Sequence, residues 1–274
     1  MRDSALAFLD DDVLTLSASL AFYTLLSFAP LIVLAVLASS AAGVDAQDAL
    51  LDQIGAVIGP QARDAASAVI ASGKSHPSAG SIAGIAGVIT ALVGATTVFA
   101  QLQSSLNLIF GLVAKPTNAI LDWLRRRIAS AGVILAIAFV LFVSLLISAG
   151  LGLVLPRGGL VLDAINQIVS AGVFAGLFSV LFRYLPDARI PWRYAISGGI
   201  VTAVLFALGK WGIGIYLASG DVGGAYGAAG SLAVLLVWVY YAGAILFYGA
   251  ELTKTWMTSN GVAIEPLAHA SRAR

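Results

Sequence analysis

The chain has 274 residues, of which 59% are hydrophobic and 11% are charged, and its formal net charge is +1. Soluble domains carry about 25% charged residues, so this composition excludes an ordinary soluble domain and predicts a protein embedded in lipid. The near-neutral charge provides no field that could hold nucleic acid. The absence of cysteine excludes disulfides, thiolate catalysis and cysteine-ligated metals.

The chain begins with a short polar and acidic stretch, residues 1–16, which we expect to lie on the membrane surface as an interfacial segment. Long apolar stretches follow, each with the roughly 20 residues that a helix needs to cross a bilayer. They predict six transmembrane helices: residues 17–42, 81–112, 128–155, 161–184, 194–218 and 231–256. The sequence thus predicts an all-α integral membrane protein, with a six-helix bundle within residues 17–256. We expect the tail, residues 257–274, to be disordered.

Residues 45–78, between the first two spans, mix charged side chains with apolar ones at helical spacing. Gly59 and Pro60 divide this stretch, which predicts two short amphipathic helices on the membrane face. Eleven of the fifteen lysines and arginines fall in segments that share a side with the amino terminus. Basic residues favour the cytoplasmic side, so we expect both termini in the cytoplasm and residues 45–78 outside it.

Two carboxamide side chains share one face of the second span. Gln103 and Asn107 lie within a narrow arc of the helix, opposite a face of leucine and phenylalanine. Unpaired amides are costly in hydrocarbon, so this face must contact either other helices or a wet cavity. Interhelical hydrogen bonds and a ligand-lined groove both satisfy that requirement, and the sequence leaves the two alternatives open.

The depth of each residue is estimated by counting along its predicted span from the side of the membrane on which that span begins. Polar residues of four spans then fall in the cytoplasmic half of the membrane. Glu251 is a carboxylate within the sixth span, which is a functional-site hypothesis by default. Arg183 closes the fourth span at a matching depth and is its expected counter-ion. The pair is either a structural salt bridge or part of a polar vestibule open to the cytoplasm. The candidate cluster, or substrate path, comprises Tyr23, Ser27, Gln103, Asn107, Arg183, Tyr248 and Glu251.

Several short motifs occur in a fixed order along the chain. They are Ser19–Tyr23 with Pro30, Gln101–Asn107, Arg183–Pro186 with Pro191 and Trp192, Tyr226–Gly227, and Gly249–Glu251. With these motifs, from about Leu14 to Trp256, the chain resembles the YihY/BrkB family of bacterial inner-membrane proteins. The resemblance implies an integral protein of the bacterial inner, or plasma, membrane. Some members of the family are linked to virulence or serum resistance.

The same family was long labelled ribonuclease BN, a tRNA-processing nuclease, and the sequence argues against that activity. A metal-dependent nuclease needs clustered His, Asp or Glu ligands. The two histidines, His76 and His269, fall in a loop and in the tail, and the acidic residues are scattered. We therefore predict no enzymatic activity, no catalytic residue, and no metal or cofactor site.

Two classes of function remain. In the first, the chain is a transporter or lipid-handling protein, and its inner polar face forms a path for an unidentified polar or amphipathic substrate. In the second, it is a non-transporting scaffold that docks envelope partners through residues 45–78. Membrane lipids are expected partners in both classes and nucleic acid in neither, while the sequence leaves homo-oligomerisation open.

Overall fold

The computed structural model describes residues 2–40, 48, 51–52, 63–64, 66–67, 97–114, 160–219 and 230–272. These residues are mostly helical. The helices are α1 (Arg2–Asp10), α2 (Val13–Ser40), α3 (residues 97–109), α4 (Leu160–Tyr184), α5 (Trp192–Ser219) and α6 (Gly230–Ser259). The third predicted span and most of residues 45–78 lie outside the described residues. The count of six spans and the extracytoplasmic helices therefore stay predictions.

The ends of the first helices follow from local backbone conformation. Asp12, between α1 and α2, has a φ of 50°, a left-handed conformation that interrupts the helix. Gly111 has a φ of 66°, and its N–H donates to the Leu108 carbonyl at 2.9 Å. A left-handed glycine of this kind commonly closes a helix. As a result α3 ends at residue 109, three residues before the predicted end of the second span.

The chain divides into two compact units, which are described separately. The first unit contains residues 1–14, 102–211 and 244–274, and the second contains residues 15–101 and 212–243. Gln103, Asn107, Arg183, Tyr248 and Glu251 belong to the first unit. Tyr23 and Ser27 belong to the second.

Two short antiparallel ribbons order the carboxyl-terminal tail within the first unit. Strand β1 (Leu112–Ala114) pairs with β4 (Ala270–Arg272), and β2 (Ala188–Arg189) pairs with β3 (Glu265–Pro266). The prediction of a disordered tail is therefore wrong for residues 260–272. The reason is that backbone groups of the tail find hydrogen-bond partners in the segments that follow α3 and α4.

Helices α5 and α6 approach closely through two reciprocal glycine–threonine contacts. A Cβ atom placed on Gly249 would lie 1.9 Å from Oγ1 of Thr202, and one on Gly198 would lie 1.9 Å from Oγ1 of Thr253. Each threonine hydroxyl donates to the glycine carbonyl four residues earlier in its own helix, at 2.7 and 2.8 Å. Both hydroxyls are thus satisfied within their helices, so small residues and close packing hold this contact together.

An apolar stripe on α5 is exposed along its length. Ile196, Ile200, Val204 and Leu208 follow one another at four-residue intervals, and their exposed fractions rise from 45% to 61%. Among the described residues, Trp192–Gly209 and Leu232–Ser259 are long and apolar enough to cross a membrane by length and composition. Shorter apolar helices cover Val13–Ser27 and Ser170–Tyr184. An exposed apolar stripe on such a helix is typical of a face that contacts lipid.

Candidate functional site

Asp187 is a buried residue at the centre of a hydrogen-bond cluster in the first unit. Its Oδ1 accepts hydrogen bonds from Nε2 of Gln103 at 3.1 Å and from Nε2 of His269 at 3.0 Å. Its Oδ2 accepts from Nδ2 of Asn107 at 2.7 Å, and its backbone N–H donates to Oδ1 of Asn107 at 2.8 Å. The Asp187 cluster (Asp187, Gln103, Asn107 and His269) thus joins α3, the α4–α5 connection and the tail.

The Asp187 cluster gives the polar face of the second span a partner. Gln103 and Asn107 both donate to the same carboxylate, so these two amides are used within the protein. Asn107 binds with both ends of its carboxamide, which fixes the orientation of that group. Because a carboxylate only accepts hydrogen bonds, Nε2 of His269 carries the proton in this contact. At these two positions the amides of α3 therefore bind a carboxylate of the α4–α5 connection and not a side chain of another helix.

Glu251 occupies a different environment in α6. Its side chain is fully buried, and neither carboxylate oxygen has a hydrogen-bond partner among the residues that the structure describes. Nζ of Lys254, one turn further along α6, lies 3.5 Å from its Oε2. A buried carboxylate without hydrogen bonds is costly, so such a group is rarely retained for stability alone.

Lys254 serves two carboxylates at once. Its Nζ also donates to Oδ2 of Asp11 at 2.8 Å, which ties the α1–α2 turn to α6. Burial acts to raise the pKa of the Asp11 carboxyl, but the neighbouring Glu251 carboxyl and the Lys254 ammonium outweigh it and hold that pKa below its ordinary value. The acid–lysine cluster (Asp11, Glu251 and Lys254) therefore contains one cation for two acidic groups.

Replacing Lys254 by methionine should destabilise the protein, because both carboxylates lose their shared cation. Breaking a buried ion pair costs about 3 kcal/mol, and the partial exposure of Lys254 and Asp11 reduces that figure. Thermal unfolding of purified protein in detergent measures the loss. The double variant E251Q/K254M should be more stable than K254M, since it also removes the buried acid. Equal stability of the two variants would contradict the shared-cation arrangement.

The expected ion pair between Arg183 and Glu251 is not formed, so that prediction is wrong. Nη1 of Arg183 donates instead to the backbone carbonyl of Ile190. Its guanidinium lies near the rings of Tyr184 and Trp192, with Cζ 5.9 and 6.0 Å from the ring centroids. Arg183 is thus engaged by the α4–α5 connection that follows it, whereas the cation beside Glu251 comes from α6 itself.

Tyr248 borders an apolar groove in the first unit. Its ring packs edge-on against Phe8, with centroids 5.8 Å apart. The groove has a volume of about 400 Å³ and is lined by Phe8, Leu9, Leu205, Ala244, Ile245 and Tyr248. Residues of the groove come shortly before residues of the acid–lysine cluster at two places in the chain. Asp11 lies two residues after Leu9, just beyond the end of α1, and Glu251 lies one turn after Tyr248 in α6. Apolar and ionic groups are therefore adjacent along two elements.

Tyr23 and Ser27, the two candidate residues of α2, belong to the second unit. The hydroxyl of Ser27 is buried and donates to the carbonyl of Tyr23 at 2.8 Å. The ring of Tyr23 lies edge-on to Phe22, with centroids 5.7 Å apart. Ser27 is therefore satisfied within its own helix.

The described side chains offer no site for a metal ion. In that part of the chain no three His, Cys, Asp or Glu side chains converge to form a group that could hold a metal ion. The Asp187 cluster contains one histidine and one aspartate, and its other two side chains are the amides of Gln103 and Asn107.

Comparison with known proteins places this chain among bacterial membrane proteins. The family model of Virulence factor BrkB matches residues 5–273. The chain belongs to this family. It is 28% identical over 259 residues to a UPF0761 membrane protein of Stenotrophomonas maltophilia, covering 90% of this chain. It is 25% identical over 259 residues to a UPF0761 membrane protein of Rhodospirillum centenum, covering 93% of this chain.

The matched regions cover 58% and 56% of those two relatives, so the chain spans a little over half of their length. A higher identity of 37% with a UPF0761 membrane protein of Delftia acidovorans extends over 114 residues, or 40% of this chain and 26% of the relative. No solved structure matches the chain. The relatives support a membrane protein, in agreement with the exposed apolar stripe of α5.

Sequence reasoning missed four residues of these clusters: Asp187, His269, Lys254 and Asp11. Lys254 carried a signal, because it lies three residues after Glu251 and therefore on the same side of a helix. Asp187 carried a weaker one, because Pro186 and Pro191 on either side of it restrict the backbone of the connection. His269 and Asp11 carried none, since both meet partners far away in sequence.

Proposed function

We propose that this chain is a lipid-handling transporter of the inner membrane, with both termini in the cytoplasm. Its site is the apolar groove together with the acid–lysine cluster beside it. The observation that supports this function is Glu251, a fully buried acid one turn from the groove, whose oxygens have no well-formed hydrogen bond within the described part of the chain. An intramembrane acid in such surroundings marks substrate or ion pathways in membrane proteins.

The chemistry of the site favours an amphipathic substrate over a purely polar one. A groove of about 400 Å³ walled by leucine, isoleucine and aromatic side chains suits part of an acyl chain. The adjacent cluster offers an ammonium and two carboxyl groups to a polar head. The wall of the groove includes Leu9, whose side chain is 65% exposed, so one side of the groove is accessible from outside the protein. Chemical activity is no part of this proposal, since the site binds and passes its substrate unchanged.

The groove can be tested by filling it. Purified protein is reconstituted in liposomes that contain a fluorescently labelled phospholipid, and transfer between leaflets is followed by chemical quenching from outside. L205W places a larger side chain in the groove, while L208W puts the same side chain on the exposed stripe of α5. We expect L205W to slow transfer and L208W to leave it unchanged. Transfer no faster than in protein-free liposomes would reject lipid handling.

The role of Glu251 is tested in the same assay with E251Q, which keeps the size of the side chain and removes its ability to ionise. We expect transfer to fall by about tenfold, the effect of losing one interaction with a charged group. The matched control is E265Q, at an exposed position of β3, which should transfer lipid normally. The unfolding temperature of E251Q should change little, because removing a buried acid offsets the loss of its contact with Lys254. Normal transfer by E251Q would contradict its assignment to the path.

A further inference from the structure

A second charged surface, separate from the groove, surrounds the connection between α4 and α5. Residues 183–193 contain three arginines and one acidic residue, which gives this stretch a formal charge of +2. The acidic residue, Asp187, is buried and already accepts three side-chain hydrogen bonds. In the part of the chain that the structure describes, none of the three arginines forms an ion pair. The surface therefore carries a net positive charge, and its arginines form no ion pair within the described residues.

The arginine surface, defined by Arg183, Tyr184, Arg189, Trp192 and Arg193, also presents aromatic rings. Tyr184 and Trp192 are 59% and 44% exposed, and their rings meet edge-on with centroids 5.8 Å apart. Tyrosine and tryptophan are enriched where a membrane meets water, because their rings are amphipathic. They flank the carboxyl end of α4 and the amino end of α5, so the arginines lie at the level expected for lipid headgroups.

Two of these arginines provide the charge of the surface. Nη1 of Arg183 donates to the Ile190 carbonyl, and its Nε is buried and has no hydrogen-bond partner among the described residues, so this half-buried side chain contributes its positive charge. The exposed Arg193 donates from Nη2 to the hydroxyl of Tyr194 at 2.6 Å, and its guanidinium lies over that ring. Arg189 faces Glu265 across the β2–β3 ribbon, so its charge is partly balanced. Guanidinium groups match the geometry of phosphate oxygens, which are the natural counter-ions at the headgroup level.

We propose that Arg183 and Arg193, flanked by Tyr184 and Trp192, bind the phosphate headgroup of an anionic phospholipid. The rings anchor the surface at the membrane boundary, and the arginines select a lipid of negative charge over a zwitterionic one. This site is distinct from the groove that the proposed function uses, and it holds a lipid in place instead of passing it across the membrane.

The test measures binding of short-chain phosphatidylglycerol to the purified full chain in neutral detergent, with short-chain phosphatidylcholine as the comparison. R183Q and R193Q should each weaken phosphatidylglycerol binding about fivefold, since one basic residue near an anionic lipid surface contributes about 1 kcal/mol. R63Q is the matched control, because Arg63 is half exposed and pairs with Asp52 in the second unit. It should bind phosphatidylglycerol normally.

Three results would overturn this inference: equal affinity for the two lipids, an equal loss in R63Q, or displacement of phosphatidylglycerol by inorganic phosphate at the same concentration. The last result would identify a site for free anions and not for lipid. R193Q keeps the test decisive even where R183Q fails to fold, because Arg193 is exposed.

Discussion

Replacing Asp187 by alanine is expected to cause a large loss of stability. Three partly buried donors, from Gln103, Asn107 and His269, lose their common buried acceptor. Each buried polar group left without a partner costs about 1–3 kcal/mol, so we expect a total of about 3 kcal/mol after relaxation. Thermal unfolding in detergent measures this loss, and D64A, at an exposed aspartate, should unfold normally.

The geometry of the Asp187 cluster also specifies a rescue. D187N keeps one acceptor oxygen but turns an amide nitrogen toward Nδ2 of Asn107, so two donors face each other. Asn107 cannot rotate to relieve this contact, because its Oδ1 accepts the backbone N–H of residue 187. Adding N107D replaces the Asn107 amide by a carboxylate, which can accept from both the backbone N–H and the side-chain amide of residue 187. The double variant D187N/N107D should therefore recover most of the stability lost in D187N. A double variant no more stable than D187N would show that these bonds do not hold the cluster together.

Much of the helical structure could be predicted from the sequence, because hydrocarbon admits few alternatives to an apolar helix. Helices α4, α5 and α6 occupy the stretches from which the fourth, fifth and sixth spans were predicted. The inward polar face of Gln103 and Asn107 was predicted for the same reason. Whether each of these helices crosses the membrane in the predicted direction is a separate matter and stays a prediction.

The partners of those polar groups could not be predicted, because they depend on contacts between distant segments. Asp187 lies 80 residues after Asn107, in a connection where a charged residue normally faces water. His269 lies in a segment whose composition is typical of a disordered tail. The strands on either side of His269 pair with β1 and β2, and this pairing orders the segment. Composition describes how each segment behaves alone, whereas the ribbons arise from hydrogen bonds between segments.

The ion pair of Glu251 was predicted wrongly for a related reason. Depth in the membrane was used to select Arg183, and depth alone does not say which side of a helix a residue occupies. Lys254 shares both the depth and the face of Glu251, because three residues on a helix bring side chains together. The three-residue spacing within α6 therefore identifies the cation beside Glu251, whereas depth in the membrane does not.

Replacing Gly249 by alanine is also expected to be strongly destabilising. The new Cβ would lie 1.9 Å from Oγ1 of Thr202, 3.0 Å from its Cβ and 3.1 Å from Cζ of Phe182. Thr202 and Phe182 are themselves fully buried, so α5 and α6 must separate to admit the methyl group. Overpacking of this kind costs about 1–3 kcal/mol, which thermal unfolding in detergent should detect.

A control and a rescue follow from the same contact. G172A changes a glycine in α4 with no atom near its Cβ position, and it should be neutral or stabilising because alanine favours the helix by about 0.5–1 kcal/mol. T202A removes the hydroxyl that blocks the new methyl group, so G249A/T202A should be more stable than G249A alone. If G249A behaves like G172A, then α5 and α6 are not held at this close distance. The separation of the two helices must matter for the acid–lysine cluster as well, because Gly249, Glu251 and Lys254 belong to the same turns of α6.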